Sequence, residues 1–305
     1  MGSEAGPIPA VRLPPAFEGL RLALARIGLP AWFIAIDLIW ITRLDIVGID
    51  ADHYQRAANT WLAGGDPWSV TAGGGIHYAS APHTLLFYVP TSFLPLPVAV
   101  AIWVVVGLLA SIWLVHLLKV PLWWIAFPPL LQSIWNGNPQ TVALALLVVG
   151  GSAAGALAVL IKLYAAIPLL ARPRSLVIAG IAVVVTLPFL PWQLYLQDGL
   201  GISGHLVTAW NGSAWRVPVL VPPTLLALWV LRRDGAEWLA VPAAWPATQF
   251  YYVAMAVPAL VRRPLVVAIV ALPVPLLTPL AVMGLALMKV RRDGRVALGL
   301  RPAGS

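Results

Sequence analysis

Apolar runs dominate the chain, and short polar or basic interruptions separate them. A polar, proline-containing lead, 1–27, precedes a first apolar run at about 28–44. Further runs fall at about 82–96, 98–118, 120–135, 140–151, 152–171, 175–196, 217–231, 238–260 and 264–289. Several, such as 98–118 (VAVAIWVVVGLLASIWLVHLL) and 175–196 (SLVIAGIAVVVTLPFLPWQLYL), approach the ~20 residues a helix needs to cross hydrocarbon. The alternating segments of roughly ten residues that build a membrane barrel are absent. The pattern predicts an all-α polytopic membrane protein, a single integral domain over 1–305, with roughly eight to eleven membrane segments. Two polar stretches, 45–80 and 197–216, stand out as loops.

Composition strengthens this reading. Hydrophobic residues make up 60% of the 305 and charged residues 10%, against about 25% charged in soluble domains. The net charge of +8 resides in short clusters between apolar runs: Arg172/Arg174, Arg232/Arg233, Arg262/Arg263 and Lys289/Arg291/Arg292/Arg295. Cytoplasmic loops have this character, which puts both polar loops on the outer face and the lead, with a short interfacial helix around 17–27, on the inner one. No basic stripe interleaved with aromatics exists, so nucleic acid is not an expected partner. The lead lacks the short apolar core and cleavage site of a signal peptide, so the first run is expected to be a retained helix. The basic clusters cannot all be cytoplasmic if every segment crosses once. Some segments are therefore expected to be broken, which Pro242, Pro246, Pro273, Pro275 and Pro279 permit. Cysteine is absent, which excludes disulfides and thiolate chemistry.

The first loop gathers Asp45, Asp50, Asp52 and Asp66, four of the eleven acids. In IDADHYQRAANTWLAGGDPW (49–68), Asp52 is placed to cap a helix beginning near His53, and Gly64-Gly65 to end it. Tyr54, Ala57, Ala58, Trp61 and Leu62 would share one face, with Gln55, Arg56 and Asn59 on the other. Such a helix is expected to lie flat at a membrane interface. TAGGG (71–75) lacks the lysine of a phosphate-binding loop and reads as a loop tip.

Asp50-Ala51-Asp52-His53-Tyr54, followed by AANTWLAGGDPW, resembles the loop signature of glycosyltransferase family 87, membrane mannosyltransferases of the GT-C type. HYASAPHTLLFYVPTSFLPLP (77–97), SIWNGNPQTVALALL (133–147) and AGALAVLIKLYAAIPLLARPR (154–174) resemble later family landmarks in the same order, over about residues 30–200. Three departures stand out: the last third is short, the proline after Lys-x-Tyr is displaced to Pro168, and Pro82 is followed by His83 where the family tends to a Pro-Pro pair. The resemblance implies a GT-C-like bundle in the plasma membrane with its active site on the outer face. It implies inverting transfer of a sugar, mannose by the family's habit, from a polyprenyl-phosphate donor to a lipid or glycan hydroxyl. No cofactor is expected, and no metal, since His53 with Asp50 and Asp52 offers ligand types without a diagnostic spacing.

Such transfer needs a base for the acceptor proton and a positive group for the phosphate. By its match to the family's loop aspartate, Asp50 is the candidate base. Lys162, inside an apolar run where a charge costs at least ~2.5 kcal/mol, is the candidate phosphate partner. A structural pair with Asp37, or snorkelling, would also explain it, and Asp37 is the rival carboxylate. Arg56, Arg216 and His83 are further phosphate candidates, and membrane anchoring explains the arginines as well. Asp52, His53, Tyr54, His77, Asn138, Gln140, His205 and Tyr251 are candidate substrate contacts. The same residues have plainer roles open to them: Asp52, Asn138 and Gln140 as helix caps, the histidines as solvated loop residues, and Tyr251 in an interfacial aromatic belt. Two other functions stay open, a small-molecule or lipid transporter, for which no internal repeat is found, and a non-catalytic membrane partner subunit.

Overall fold

The computed structural model describes residues 24–41, 47–71, 77–202 and 212–297. Among these the protein is all-helical, and its extended pairing amounts to one antiparallel bridge between Thr71 and His77. The α-helices of four residues or more are α1 (Leu29–Ile41), α2 (Ile49–Leu62), α3 (Pro82–Ser92), α4 (Leu96–Leu117), α5 (Pro128–Trp135), α6 (Gln140–Val149), α7 (Ser152–Ile161), α8 (Pro173–Thr186), α9 (Val221–Val230), α10 (Ala236–Ala244), α11 (Val257–Leu260), α12 (Pro264–Val270) and α13 (Leu277–Ala297). Proline occupies the first or second position of α3, α4, α5, α8 and α12, where its missing N–H leaves no helical bond unmade.

Several of the apolar runs are interrupted, among them 238–260, where prolines permit a break. The run 120–135 becomes a 3-10 stretch, Leu122–Ala126, then extended Phe127, then α5. The run 152–171 breaks at Lys162, whose backbone is extended (φ −142°, ψ 112°), and continues as the 3-10 stretch Leu163–Leu169 holding Pro168. The run 175–196 gives α8, which ends at Thr186. The run 238–260 breaks after Ala244 and resumes as the 3-10 stretch Phe250–Ala256. Pro246 lies in that gap, and Pro273 and Pro275 lie between α12 and α13, whereas Pro242 sits inside α10 and Pro279 falls within α13. Among the described residues α4 is the helix long and apolar enough to cross a membrane. Large apolar side chains stay uncovered along α4 (Val105, Leu109, Trp113), α8 (Val177, Ile181, Val184, Val185) and α9 (Leu225, Leu226, Trp229).

Two buried clusters form the interior. The larger is mainly aliphatic and joins α4, α6, α7, α10, α12 and α13 through residues such as Leu114, Leu144, Ile161, Leu239, Val267 and Val282. The smaller is aromatic and gathers Tyr54, Trp68, Tyr78, Tyr88 and Tyr195 around α2 and α3. Within it Tyr54 stacks on Tyr88 (centroids 4.5 Å apart) and Tyr88 on Trp103 (4.1 Å), which ties α2, α3 and α4 together.

α2 differs from its expectation in three ways. It starts at Ile49 after Gly48, and no side chain caps it. Its leading amides instead reach the end of α5: Gly48 N–H donates to the Trp135 carbonyl (2.9 Å), and Asp50 and Ala51 N–H to that of Asn136 (3.0 and 3.1 Å). The positive end of one helix thus meets the negative end of another, and the amides of Asp50 and Ala51 and the last carbonyls of α5 satisfy each other. Asp52 is left free to accept from Arg56 Nε (2.6 Å). Gln55 is buried rather than solvent-facing, because its amide donates to the carbonyls of Thr91 (2.9 Å) and Leu94 (2.8 Å). And α2 is not a helix resting on a surface: it packs against α3 and α4. Its C-terminal end is as expected, with Gly64 at φ +81°.

The α5–α6 corner that receives α2 is a Schellman turn. Gly137 N–H donates to Ile134 and Asn138 N–H to Ser133, with Gly137 at φ +68°. A Cβ there would stand 2.7 Å from Ala51 Cβ. Gly64 has a similar φ but open space around it. Gly137→Ala is therefore expected to lose about 1–2 kcal/mol from the left-handed conformation, plus a steric contribution that Gly64→Ala lacks. Thermal unfolding of the two variants checks this, and equal midpoints would refute the close approach.

Candidate functional site

The Schellman turn sets Asn138 beside the first turn of α2. Gln140 N–H can only donate, and it donates to Asn138 Oδ1 (2.9 Å). The Asn138 amide nitrogen must then face the other way. It donates to Asp50 Oδ2 (2.8 Å) and to the Tyr251 hydroxyl (3.1 Å). Asn138 thus both satisfies the first amide of α6 and partners Asp50. Gln140, fully buried, donates to the Tyr251 carbonyl (2.5 Å) and accepts from the Tyr164 hydroxyl (2.7 Å). These bonds hold the 3-10 stretches 163–169 and 250–256 against the start of α6.

On the other side of Asp50, one turn along α2, lies Tyr54. Its hydroxyl accepts from Lys162 Nζ and is 2.9 Å from Ser80 Oγ. Lys162 is 5% exposed and makes no ion pair among the described residues, so the alternative of a structural pair with Asp37 does not hold there. The break at Lys162 is what turns this side chain out of α7. Asp50 itself is half-buried. Burial is the largest influence on its carboxyl and raises its pKa above the ordinary value. The Asn138 hydrogen bond opposes this rise, as do the positive charges of Lys162 and His53 and, last, the Asn136 amide. Asn136 Oδ1, nearby, is buried without a hydrogen-bond partner among the described residues.

Asp50, His53, Tyr54, Asn138, Gln140, Lys162 and Tyr251 therefore come together, from four stretches far apart in sequence. The remaining candidates do not join them. Asp52 and Arg56 pair with each other on the outer side of α2, with the Arg56 side chain 58% exposed. His77 is exposed at the loop bridge. His83 is buried against α8, with its Nε2 2.7 Å from Thr186 Oγ1 and its ring against Trp192. Arg216 is exposed in the turn Ala214–Arg216 and shares no hydrogen bond or ion pair with the cluster among the described residues. His205 and Asp45, the 17–27 helix up to residue 23, and most of TAGGG lie outside the described residues. Sequence reasoning missed Tyr164 and Ser80 as members of the cluster. Tyr164 was within reach, being the aromatic two residues beyond Lys162; no local pattern points to Ser80.

The arrangement offers a carboxylate with a raised affinity for protons, an oriented amide, three phenols and a buried ammonium. That set can accept a proton at Asp50 and stabilise an anion near Lys162. No three-member group of metal-ligand side chains occurs among the described residues. No family model, no curated protein and no solved structure matches this chain.

Proposed function

We propose that the protein is a plasma-membrane glycosyltransferase of the GT-C type, related to glycosyltransferase family 87, which moves a sugar from a polyprenyl-phosphate donor to a lipid or glycan hydroxyl at the outer face. The observation that carries this reading is the meeting of Asp50, held by Asn138, and Lys162, held by Tyr54 one turn along α2, close enough for their charges to interact although 112 residues separate them in sequence. The uncovered apolar faces of α4, α8 and α9 support a lipid-facing surface, since contiguous exposed apolar area of that extent suits lipid better than water.

In this reading the acceptor hydroxyl lies against Asp50. Its oxygen attacks C1 of the sugar while the bond from C1 to the phosphate oxygen breaks, with inversion at C1. The bonding pair leaves with the polyprenyl phosphate, and the acceptor proton passes to the Asp50 carboxylate. Lys162 faces the charge that builds on the leaving phosphate. Tyr54 holds that ammonium, and Asn138 holds the carboxylate. The Asn136 side-chain oxygen Oδ1, buried and without a hydrogen-bond partner among the described residues, supplies an acceptor for a sugar or acceptor hydroxyl.

The test is transfer of a labelled sugar from a polyprenyl-phosphate donor by the purified protein in a bilayer, with a nucleotide-sugar donor alongside. Transfer from the lipid donor is expected. Its absence across several lipid acceptors and sugars would overturn the reading.

Asn138 gives a sharper check. Its hydrogen bond favours the charged form of Asp50, so Asn138→Ala leaves the carboxyl with a still higher pKa. A base works only when deprotonated, so the rate rises with pH through that pKa. The acidic limb of the kcat/KM profile is therefore expected at higher pH in Asn138→Ala than in wild type. A limb that stays in place would separate Asp50 from the rate.

A further inference from the structure

At the far end of α7 from Lys162, a groove of about 510 Å³ opens between the α6–α7 turn and the start of α8. We propose that it binds a phosphate group, carried by an anionic lipid headgroup. This goes beyond sugar transfer, shares no residue with the Asp50 cluster, and only the choice of lipid over free phosphate rests on the membrane reading.

The walls carry positive charge and no negative charge. Arg172 and Arg174 line the groove, and none of its lining residues is an acid. Neither arginine makes an ion pair among the described residues. Arg172 reaches the Leu147 carbonyl at the end of α6 with one nitrogen (3.5 Å), which leaves its other N–H groups available. A guanidinium presents paired donors that match phosphate oxygens.

The backbone adds donors. α7 follows Gly150 and Gly151, both at positive φ (+79° and +80°), and a Cβ on Gly151 would meet nothing within 4 Å. Bare backbone therefore lets a ligand come close to the first amides of α7, which have no side-chain cap. α8 likewise begins at the groove without a side-chain cap. Ser175 points independently to a ligand. It lines the groove, is 2% exposed, and its hydroxyl makes no hydrogen bond among the described residues. No described protein group engages that hydroxyl, so it is available to donate to a phosphate oxygen.

The lipid source follows from what adjoins the groove. The uncovered apolar side chains Val177, Ile181 and Val184 run along α8 directly from its rim. Acyl chains could lie along that face while the headgroup phosphate meets the arginines.

The experiment uses the full chain in neutral detergent, titrated with dioctanoyl phosphatidate, inorganic phosphate and dioctanoyl phosphatidylcholine. Saturable phosphatidate binding is expected, with little binding of the zwitterionic lipid. Arg174→Gln should weaken it roughly tenfold, the worth of one charge-assisted contact. Ser152→Asp should do so too, while favouring the start of α7 electrostatically, so its loss of binding is not unfolding. Inorganic phosphate binding as tightly as phosphatidate would uphold the phosphate site and overturn the lipid source. Equal phosphatidate affinity in wild type and both variants, or no saturable binding of either phosphate probe, would overturn the site.

Discussion

Asp50→Asn is expected to lower the transfer rate by roughly 10²- to 10⁴-fold, the usual contribution of a positioned base. The substitution is nearly isosteric. An asparagine at 50 can turn its carbonyl oxygen toward Asn138 Nδ2 and keep the 2.8 Å bond. The backbone N–H that joins α2 to Asn136 is unchanged. It also replaces a carboxyl whose ionised form burial disfavours with a neutral amide, so folding should not suffer. Thermal unfolding close to wild type with turnover near background is the expected pair of results. The residual rate should also lose the acidic limb assigned to Asp50. Turnover equal to wild type would remove the base from the mechanism.

Lys162→Met is the second large effect. An ammonium facing a leaving phosphate contributes transition-state stabilisation, and loss of one such group costs roughly 10²- to 10³-fold in rate. Methionine fills similar volume without charge. Exchanging a buried charge for an apolar side chain is often neutral or stabilising, so the unfolding midpoint should hold or rise. Tyr54 keeps Ser80 as a hydrogen-bond partner in the variant. Lys162 also favours the ionised form of Asp50, so its removal moves the acidic limb upward. The two effects separate at high pH. Once Asp50 is ionised in both proteins, the remaining deficit belongs to the phosphate. A deficit that vanishes there would make Lys162 a positioning residue for Asp50 alone.

The sequence carried part of this arrangement. The run 98–118 is long and uniform enough to be read directly, and it is α4 with small shifts at its ends. Gly64 ends α2 because a left-handed residue is needed there, a local requirement that the sequence displays. The prolines mark breaks at 245–249 and 271–276, but they do not say which will bend the chain and which, like Pro242, will stay inside a helix. What stayed hidden was non-local. Asp52 looks like a cap because aspartate before an amphipathic stretch usually is one, and nothing nearby reveals that α5 provides the carbonyls instead. Gln55 looks solvent-facing by periodicity, yet two carbonyls at the end of α3 draw it inside. Lys162 advertises that it needs a partner, but the partner is a phenol 108 residues earlier.

The end-to-end junction of α2 with α5 also constrains how such a protein can be re-engineered. The loop helix bearing Asp50 and the corner bearing Asn138 behave as a single interchangeable part, although 88 residues separate the two side chains. A chimaera that imports a foreign first loop without the matching corner would strand amides on one side and carbonyls on the other. Grafts meant to change which acceptor is used have to carry both pieces across together.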